Sequence, residues 1–380
     1  MPRLSQEKRD FLEKEITVEE IRQAINELRG NSTPGPDGIC PEFYRKYDIS
    51  ISIVLQGVFK EAEEESMLPP SFRRSHTVLI PKGQTQEADR QVTYFRPITM
   101  RNVDYKIFAK ILSSRVQTVI CHLVGDHQTC AIKGRTIQTN IHVVRTVLDL
   151  CRQEGDQVAI LQLDLSKAFD RVDHDFLFHV MKRANMGSRF IERIRLCYTQ
   201  VATRLVVNNT LTTPIPLQAS VRQGCPILPL LFNLYLEPLC RRVINCKQVH
   251  GFKLDKTEVK VVAYADDIAF LLSDKPSITR VMQYVDRYCK VSGARINKDK
   301  SLGIWEGHWG TRPHTFQQIK WQTEGPTYLG VPLNESKNTN AMWAERAKSM
   351  KRQALIWKAR TLSVFQRAKV CNIFLTAKLV

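Results

Sequence analysis

The sequence lacks the patterns that mark secreted, disulfide-linked and membrane-spanning proteins. None of its ten cysteines occurs as Cys-x-x-Cys, and the pairs His127/Cys130 and Cys246/His250 have no second pair nearby. Neither a zinc site nor a disulfide framework is therefore predicted, and the thiols are interpreted as reduced and mostly buried. The N-terminal segment is too polar for a signal peptide, and no run of eighteen apolar residues occurs. These absences indicate an intracellular protein, with nucleus or cytoplasm left open.

Negative charge is also scarce relative to positive charge. Lysine and arginine total 56 against 38 aspartate and glutamate residues, which leaves a formal charge of +18. The basic residues are spread along the whole chain, so the excess indicates a broad positive surface of the kind that contacts phosphates. Charge alone equally fits a soluble basic protein without such a ligand. With 43% hydrophobic residues, the 380-residue chain can bury one large core or two to three smaller ones.

Apolar periodicity predicts an α+β protein. Thr17 and Glu20 form a capping-box pattern at the start of the first helix. The predicted helices cover residues 17–28, 42–66, 102–120, 141–151, 175–184, 230–244, 277–292 and 341–379. The predicted strands cover residues 75–82, 95–100, 158–163, 260–265 and 268–272. Their alternation predicts a sheet with helices on one face.

Three aspartates follow or separate the most apolar strands. Asp164 ends the strand at 158–163, and Asp266-Asp267 alone separate the strands of a predicted hairpin. Carboxylates in this arrangement can hold two divalent cations about 3.5–4 Å apart. One ion would lower the pKa of an attacking 3′-hydroxyl and the other would stabilise the leaving pyrophosphate. The alternative is a polar two-residue turn, which an isolated Asp-Asp pair favours; the almost wholly apolar strands on both sides weaken that interpretation.

The motifs around these acids resemble those of reverse transcriptases. Tyr264-Ala-Asp-Asp267 is similar to the family's YxDD box, and the segment from Leu163 to Asp170 resembles the preceding carboxylate motif in its non-LTR (LINE-type) form. Further blocks occur on both sides of these motifs, in the family's order. The resemblance extends from about residue 16 to the end of the chain. The further blocks comprise 33–39, 95–98 with Asn102, Tyr105 and Lys106, 220–226, 293–301 and 328–331.

The resemblance implies a site in which two Mg²⁺ ions, replaceable by Mn²⁺, are held by Asp164, Asp266, Asp267 and the backbone carbonyl of Leu165. Tyr264 would lie beside them, in contact with the substrate. The substrates implied are deoxynucleoside triphosphates and an RNA template with a DNA primer, with no membrane partner.

The resemblance also implies roles around the nucleotide. Lys82 and Arg96 would clamp the triphosphate, Gln223 and Gly224 would contact the nucleotide, and Phe169 would be the steric gate against a 2′-hydroxyl. Lys300 is the candidate general acid for pyrophosphate. Taken alone, Phe169 could be a core aromatic residue, and each of the three cations could be an ordinary solvated charge.

The implied fold is a right-hand polymerase with fingers, a palm built on an antiparallel sheet and a partial helical thumb. Residues 1–60 would form an N-terminal extension, residues 61–337 the fingers and palm, and residues 338–380 the start of an incomplete thumb. Cys130-Ala131 stands where the family usually has Gly-Phe, and Ile227-Leu228-Pro229 lacks the usual serine before proline. These departures bear on template handling and not on the metal site. Because the chain stops at Val380 within the implied thumb and shows no apurinic-type endonuclease or zinc knuckle, it is expected to be a core fragment, a truncated copy or a relic.

Two rival functions remain at this point. An RNA-templated RNA polymerase usually carries Gly-Asp-Asp and has no use for a bulky gate, so Phe169 and Tyr264 argue against it. A catalytically idle RNA-binding relic would keep the fold without turnover. The intact trio of Asp164, Asp266 and Asp267 argues against the relic, because unpaired clustered acids are costly to keep once metal no longer binds.

Overall fold

The structure, a computed structural model, describes residues 1–81, 95–217, 224–255, 257–323, 327–333, 338–358 and 360–375. Its helices are α1 Gln6–Glu13, α2 Val18–Asn26, α3 Pro41–Lys46, α4 Asp48–Glu64, α5 Pro70–Arg73, α6 Val103–Val119, α7 Ile137–Glu154, α8 His174–Arg183, α9 Ser188–Leu196, α10 Leu228–Ile244, α11 Lys275–Ser292, α12 Asn338–Lys358 and α13 Val364–Val370. Short 3₁₀ turns cover Ile120–His122 and Ala168–Arg171, and a π-helical turn covers Cys371–Leu375. Within these ranges, no helix combines the length and the apolar character needed to cross a bilayer.

The strands within the described residues are short and form four sheets. They are β1 Arg74–Pro81, β2 Phe95–Arg101, β3 Gln157–Asp164, β4 Ala202–Val207, β5 Thr210–Leu211, β6 Ile215–Pro216, β7 Phe252–Leu254, β8 Thr257–Val259, β9 Val261–Tyr264, β10 Asp267–Leu272, β11 Leu302–Gly307, β12 Thr315–Phe316, β13 Ile319–Gln322, β14 Thr327–Tyr328 and β15 Val331–Pro332. The predicted mixture of helices and strands is confirmed.

The largest sheet carries the three aspartates. Its strand order is β12-β13-β11-β3-β10-β9; the pairs β11–β3, β3–β10 and β10–β9 are antiparallel, whereas β13 and β11 are parallel. β3 and β10 lie in its interior, which explains why both sequences are almost wholly apolar. The predicted central strand and the predicted hairpin are therefore confirmed.

Helices cover both faces of this sheet, so the prediction that they lie on one face was wrong. Alternate residues of β3 point to opposite faces: Leu161 joins the large core that includes α6, α8, α10 and α11, whereas Ile160 packs with Val144 and Val147 of α7. The hydrophobic runs of β3 and β10 were compatible with either arrangement, because a strand buried on both faces shows no polar alternation.

A second sheet has the strand order β2-β1-β4-β5, with β6 also paired to β4. β1 pairs antiparallel with β2 and parallel with β4. A row of hydroxyls joins the three strands: the side-chain oxygen of buried Thr77 lies 2.9 Å from that of half-buried Thr99 and 2.8 Å from that of buried Thr203. The two front strands predicted from the sequence are confirmed as part of a separate sheet.

The N-terminal segment packs into the large core and is held there by two buried arginines. Arg115 on α6 and Arg193 on α9 both donate to the carbonyls of Leu12 and Lys14. Arg115 also pairs with Glu20, the acid of the α2 capping box. The predicted capping box is confirmed, and its carboxylate serves a second purpose as a partner for a buried cation.

Two of the predicted helices are each divided in the structure. The run expected at residues 341–379 contains α12 and α13, separated by non-helical residues 361–363. The run expected at residues 42–66 is interrupted at Tyr47, whose backbone (φ −117°, ψ 30°) lies between α3 and α4. The second helix restarts with Asp48 in its first turn, where a carboxylate is favourable, and Arg22 of α2 pairs with that carboxylate at 3.0 Å. Periodicity missed the break because apolar residues continue on both sides of it.

Asp104 provides a stability test of this packing. It is buried at the start of α6, accepts hydrogen bonds from the Ser71 hydroxyl and the Tyr105 amide, and burial raises its pKa to about 6. Between about pH 4 and pH 6 the folded state holds a proton that the unfolded state has released, so this residue lowers stability as pH rises through that window.

We therefore expect Asp104→Asn to stabilise the protein by on the order of 1–3 kcal/mol at pH 7.5 and by almost nothing at pH 4. Urea unfolding at both pH values measures the difference, with Asp149→Asn, an exposed acid paired with Arg152, as the control. An equal effect at the two pH values would contradict a raised pKa at Asp104.

Candidate active site

Asp266 lies in the turn of the β9–β10 hairpin. Tyr264 and Asp267 are paired residues of the two strands, so the turn consists of Ala265 and Asp266. Ala265 adopts a positive φ of 53°, which is uncommon for a residue other than glycine. The prediction that Asp266-Asp267 alone separate the strands was wrong by one residue, because Asp267 is the first residue of β10.

Asp164 lies directly opposite Asp267 in the β3–β10 ladder. Residues opposite each other in an antiparallel pair have Cβ atoms about 4.5–5.5 Å apart, so the two side chains emerge as close neighbours. Asp266 is adjacent to this pair in the turn. The sheet therefore brings Asp164 together with two adjacent acids that lie about a hundred residues later in the sequence.

The segment after α11 holds the backbone of Asp164. Its amide donates to the Ser301 hydroxyl at 3.1 Å, and its carbonyl accepts from the Asn297 amide at 2.8 Å. The next residue, Leu165, forms an isolated antiparallel bridge with Ile296. Both backbone groups of Asp164 are thus occupied, which leaves its carboxylate as the part that can bind a ligand.

Burial and neighbouring negative charge raise the pKa values of two of the three acids. Burial first, then the charge of Asp164, raise the pKa of Asp266 above its usual value, against an opposing hydrogen bond from its own backbone amide. Partial burial, followed by the charges of Asp266 and Asp164, raises the pKa of Asp267 to about 6. Asp267 is an exposed residue, so burial is the weaker explanation for its raised pKa. The charges of Asp266 and Asp164 explain that rise better. A cation placed among the three acids would relieve this repulsion.

The donor chemistry fits a hard divalent cation. Among the described residues, none of the three acids forms an ion pair with a lysine, arginine or histidine. In the same part of the chain, no three His, Cys, Asp or Glu side chains form a group that could hold a metal by themselves. Mg²⁺ binds through one or two carboxylates and completes its octahedron with water and substrate phosphates, so a closed protein cage is not required.

Phe169 is held by its loop and by a second ring. Lys167, with a positive φ of 50°, turns the chain after β3 into the 3₁₀ turn Ala168–Arg171. The half-buried ring of Phe169 lies 4.8 Å from that of Phe232 on α10, between centroids, and Phe232 is 1% exposed. Phe232 in turn packs against Tyr235 at 5.8 Å. The ring of Phe169 thus packs against a cluster of aromatic side chains. This contact could not be predicted from the sequence.

Gly224 connects the second sheet to α10. Its φ is +76°, and a Cβ built there would lie 3.3 Å from the carbonyl oxygen of Thr99 on β2. The next residue, Cys225, lies 3.0 Å from the Tyr105 hydroxyl. Arg96 is exposed on the same strand β2, opposite Ile80. The structure therefore brings Gly224 and the strand carrying Arg96 together, whereas Lys82 and Gln223 lie outside the described residues.

Tyr264 and Lys300 complete the set of predicted residues. The half-buried Tyr264 hydroxyl and the Cys130 thiol lie close together, and burial raises the pKa of both groups. Lys300 is exposed, and its backbone amide donates to the side chain of Asn297 at 3.3 Å. The ε-amino group thus lies on the segment that supports Asp164, at the surface of the protein.

Other supporting residues had no clear sequence signal. The sequence predicts no zinc site at the pair His127/Cys130, and in the structure the two residues have separate neighbours: His127 contacts Glu237, and Cys130 lies close to Tyr264. In the other such pair, Cys246 contacts Tyr284 and His250 contacts Asp274. Glu237 lies in the largely apolar helix α10. The sequence alone does not show whether a single acid in such a helix is buried or exposed.

The fold is a mixed α/β arrangement consistent with a reverse transcriptase domain. The sequence model of the family described as reverse transcriptase (RNA-dependent DNA polymerase) matches residues 80–333, more than half of the chain. The chain belongs to this family, and its relatives place it among the reverse transcriptases of non-LTR retrotransposons.

Three relatives illustrate the likeness. The chain is 33% identical over 380 residues to the transposon TX1 uncharacterized 149 kDa protein of Xenopus laevis, covering 98% of this chain and 29% of that protein. It is 25% identical to the Pol polyprotein of the type-2 retrotransposable element R2DM of Drosophila melanogaster, over 76% of this chain and 26% of that protein. It is 21% identical to the RNA-directed DNA polymerase from mobile element jockey of the same fly, over 92% and 39%. The chain thus spans at most about two fifths of these relatives.

Proposed function

We propose that this chain is an RNA-directed DNA polymerase that adds deoxynucleotides to a primer 3′-hydroxyl. The observation that carries the proposal is the pairing of Asp164 with Asp267 across β3 and β10, with Asp266 in the adjoining turn. These acids have no cationic partner among the described residues, and burial together with neighbouring negative charge raises the pKa of Asp266 and Asp267. The family supplies the reaction class, and this geometry supplies the groups that the reaction needs.

In this proposal Asp164, Asp266 and Asp267, with the carbonyl of Leu165, hold two Mg²⁺ ions. When bound, such a pair activates the primer hydroxyl and stabilises the charge on the leaving pyrophosphate. The chain's own contribution is placement: the ladder fixes Asp164 against Asp267, and Asn297 and Ser301 fix the Asp164 backbone. Positioning and charge complementarity provide most of the acceleration in phosphoryl and nucleotidyl transfer.

The nucleotide contacts are assigned around this centre. Arg96 and Lys82 bind the triphosphate, since a guanidinium fork and a point charge suit phosphate oxygens. Gln223 and Gly224 contact the nucleotide, where the absence of a side chain at Gly224 permits close approach. Phe169 is the steric gate, Tyr264 lies beside the metal site, and Lys300 donates a proton to pyrophosphate.

The same proposal divides the chain into the parts of a right hand. Residues 1–60 form the N-terminal extension, residues 61–337 the fingers and palm, and residues 338–380 the start of the thumb. The sheet β2-β1-β4 then belongs to the fingers, and the sheet carrying the three acids belongs to the palm. The helices α12 and α13, with Lys351, Arg352 and Arg367, supply the basic surface of the thumb start.

Primer extension on an RNA template with Mg²⁺ and deoxynucleotides tests the function. Extension by the unchanged chain, with none by an Asp266→Asn variant, is the expected result. A catalytically idle RNA-binding relic would bind the primer–template without extending it, and the same assay distinguishes the two.

Binding should depend steeply on salt. Each phosphate neutralised by a lysine or arginine releases counterions and adds about 0.7–0.9 to the slope of log K against log salt. With a net charge of +18 spread over the chain, we expect a slope of at least about four for a primer–template duplex. Fluorescence anisotropy at a series of salt concentrations measures it.

The correct deoxynucleotide with Mg²⁺ should increase the affinity for the primer–template further. In the proposal, Lys82 and Arg96 hold one end of the bound nucleotide and the paired acids hold the other. The matched control is the same nucleotide without a divalent ion. A steep salt slope without nucleotide-dependent tightening would point to the relic, and a flat slope would contradict both functions.

A further inference from the structure

Glu237 is a buried acid on α10 that the proposed reaction does not use. Its side chain is 0% exposed, and its carboxylate accepts four hydrogen bonds. Oε1 accepts from the Gly125 amide at 3.1 Å and from Arg241 Nε at 2.6 Å; Oε2 accepts from His127 Nε2 at 3.0 Å and from Gln128 Nε2 at 2.5 Å. These donors hold the pKa of Glu237 below its usual value against the effect of burial. An acid with this many donors is a fixed structural anchor.

Three of the four donors belong to one loop, and that loop pairs with the strand preceding the catalytic turn. Gln128 forms a parallel bridge with Ala263 of β9. The Ala263 amide donates to the His127 carbonyl at 2.7 Å, and the Thr129 amide donates to the Ala263 carbonyl at 3.2 Å. β9 would otherwise be the outer strand of the sheet, so the loop closes its open edge.

The loop reaches the catalytic turn through its next residue. Asn233, one turn before Glu237 on α10, donates to the Cys130 carbonyl at 2.7 Å, and the Cys130 thiol lies close to the Tyr264 hydroxyl. Tyr264 is followed directly by Ala265, which has a positive φ, and by Asp266. A turn with this backbone conformation keeps its shape only when its surroundings hold it.

We propose that Glu237 is a positioning residue for the catalytic hairpin: by anchoring residues 125–130 along β9, it fixes where Asp266 is held. The inference rests on the proposed polymerase function. Glu237 lies on α10 and does not contact the reacting groups. It therefore influences the position of Asp266 only through the loop and β9.

The primary test is Glu237→Gln in the full chain, which keeps the shape of the side chain and removes its charge. In either orientation of the glutamine amide, its nitrogen replaces an oxygen that accepts from two donors, so the loop loses part of its anchor. We expect kcat for primer extension to fall about ten- to hundredfold, as for a small displacement of reacting groups, with KM for the deoxynucleotide changed less than about threefold. The loss should be larger with Mg²⁺ than with Mn²⁺, because Mg²⁺ requires nearly ideal octahedral geometry.

A second measurement is independent of activity. Amide hydrogen exchange in peptides containing Ala263 and Thr129 should become about tenfold faster or more in the variant, since both amides bond across the loop–β9 contact. Peptides from α6 should exchange as in the unchanged protein. The matched control is Glu192→Gln, an exposed acid paired with Arg195, which should alter neither exchange nor kcat.

If Glu237→Gln does not fold, Gln128→Met decides the question. It keeps the length of a 1% exposed side chain while removing its bonds to Glu237 and to the Asn233 carbonyl. A loss in kcat of about three- to tenfold with faster exchange at Ala263 supports the proposal. Unchanged kcat and unchanged exchange in a folded variant overturn it. Absence of activity in the unchanged chain would instead refute the polymerase function, while the exchange measurements would still test the anchor.

Discussion

The Asp266→Asn variant is expected to extend a DNA primer on an RNA template at least about a thousand times more slowly than the unchanged protein. Asparagine has the same shape but supplies no negative charge, and the proposed metal pair depends on charge at this turn. The repulsion that raises the pKa of Asp267 should also diminish, because Asp266 is one of its two acidic neighbours. Gel-based primer extension under single-turnover conditions measures the rate.

The matched control for this variant is Asp149→Asn on α7, an exposed acid paired with Arg152, which should extend at the unchanged rate. Asp266→Asn should retain its affinity for the primer–template, since that affinity comes from contacts with phosphates. Substantial extension by Asp266→Asn would remove this residue from the metal site. Lost binding together with lost extension would indicate that the hairpin is needed for folding.

The elements around the site were predictable because local patterns determine them. The run before Asp164 is apolar at almost every position, which indicates an interior strand, and Thr17 with Glu20 indicates a helix start. The hairpin carrying Asp266 was predictable because two apolar runs are separated by only a few polar residues. The sequence therefore indicated both the strands and the acids at their ends.

The partnerships between distant segments were not predictable from one sequence. Local sequence patterns do not indicate that Ser301 bonds to Asp164 or that Glu237 bonds to His127. Each of these contacts joins residues more than a hundred positions apart. The exact turn was also misjudged: strand pairing extends to Asp267 because Asp164 offers it a partner on β3. Tertiary pairing, not local preference, set that boundary.

Phe169 is the residue whose proposed role depends most on such a partnership. A steric gate must be rigid, since a ring that can tilt would admit a 2′-hydroxyl. The structure places Phe232 4.8 Å behind it, between ring centroids, and Phe232 is itself fixed in the core next to Tyr235. Offset and tilted ring pairs at this distance are favourable. The gate would therefore be held by packing, with no hydrogen bond required.

Replacing Phe169 by Val should relax sugar selection by about ten- to hundredfold, measured as the ratio of kcat/KM for a deoxynucleotide to that for the matching ribonucleotide. The physical reason is removal of the clash with the 2′-hydroxyl, so ribonucleotide incorporation should rise while deoxynucleotide incorporation falls only modestly. Phe316→Val is the matched control, because Phe316 is also half-buried against the large core but lies on β12, at the far end of the sheet. If both variants keep the original ratio, Phe169 contributes only packing, and selection against ribonucleotides must come from another residue.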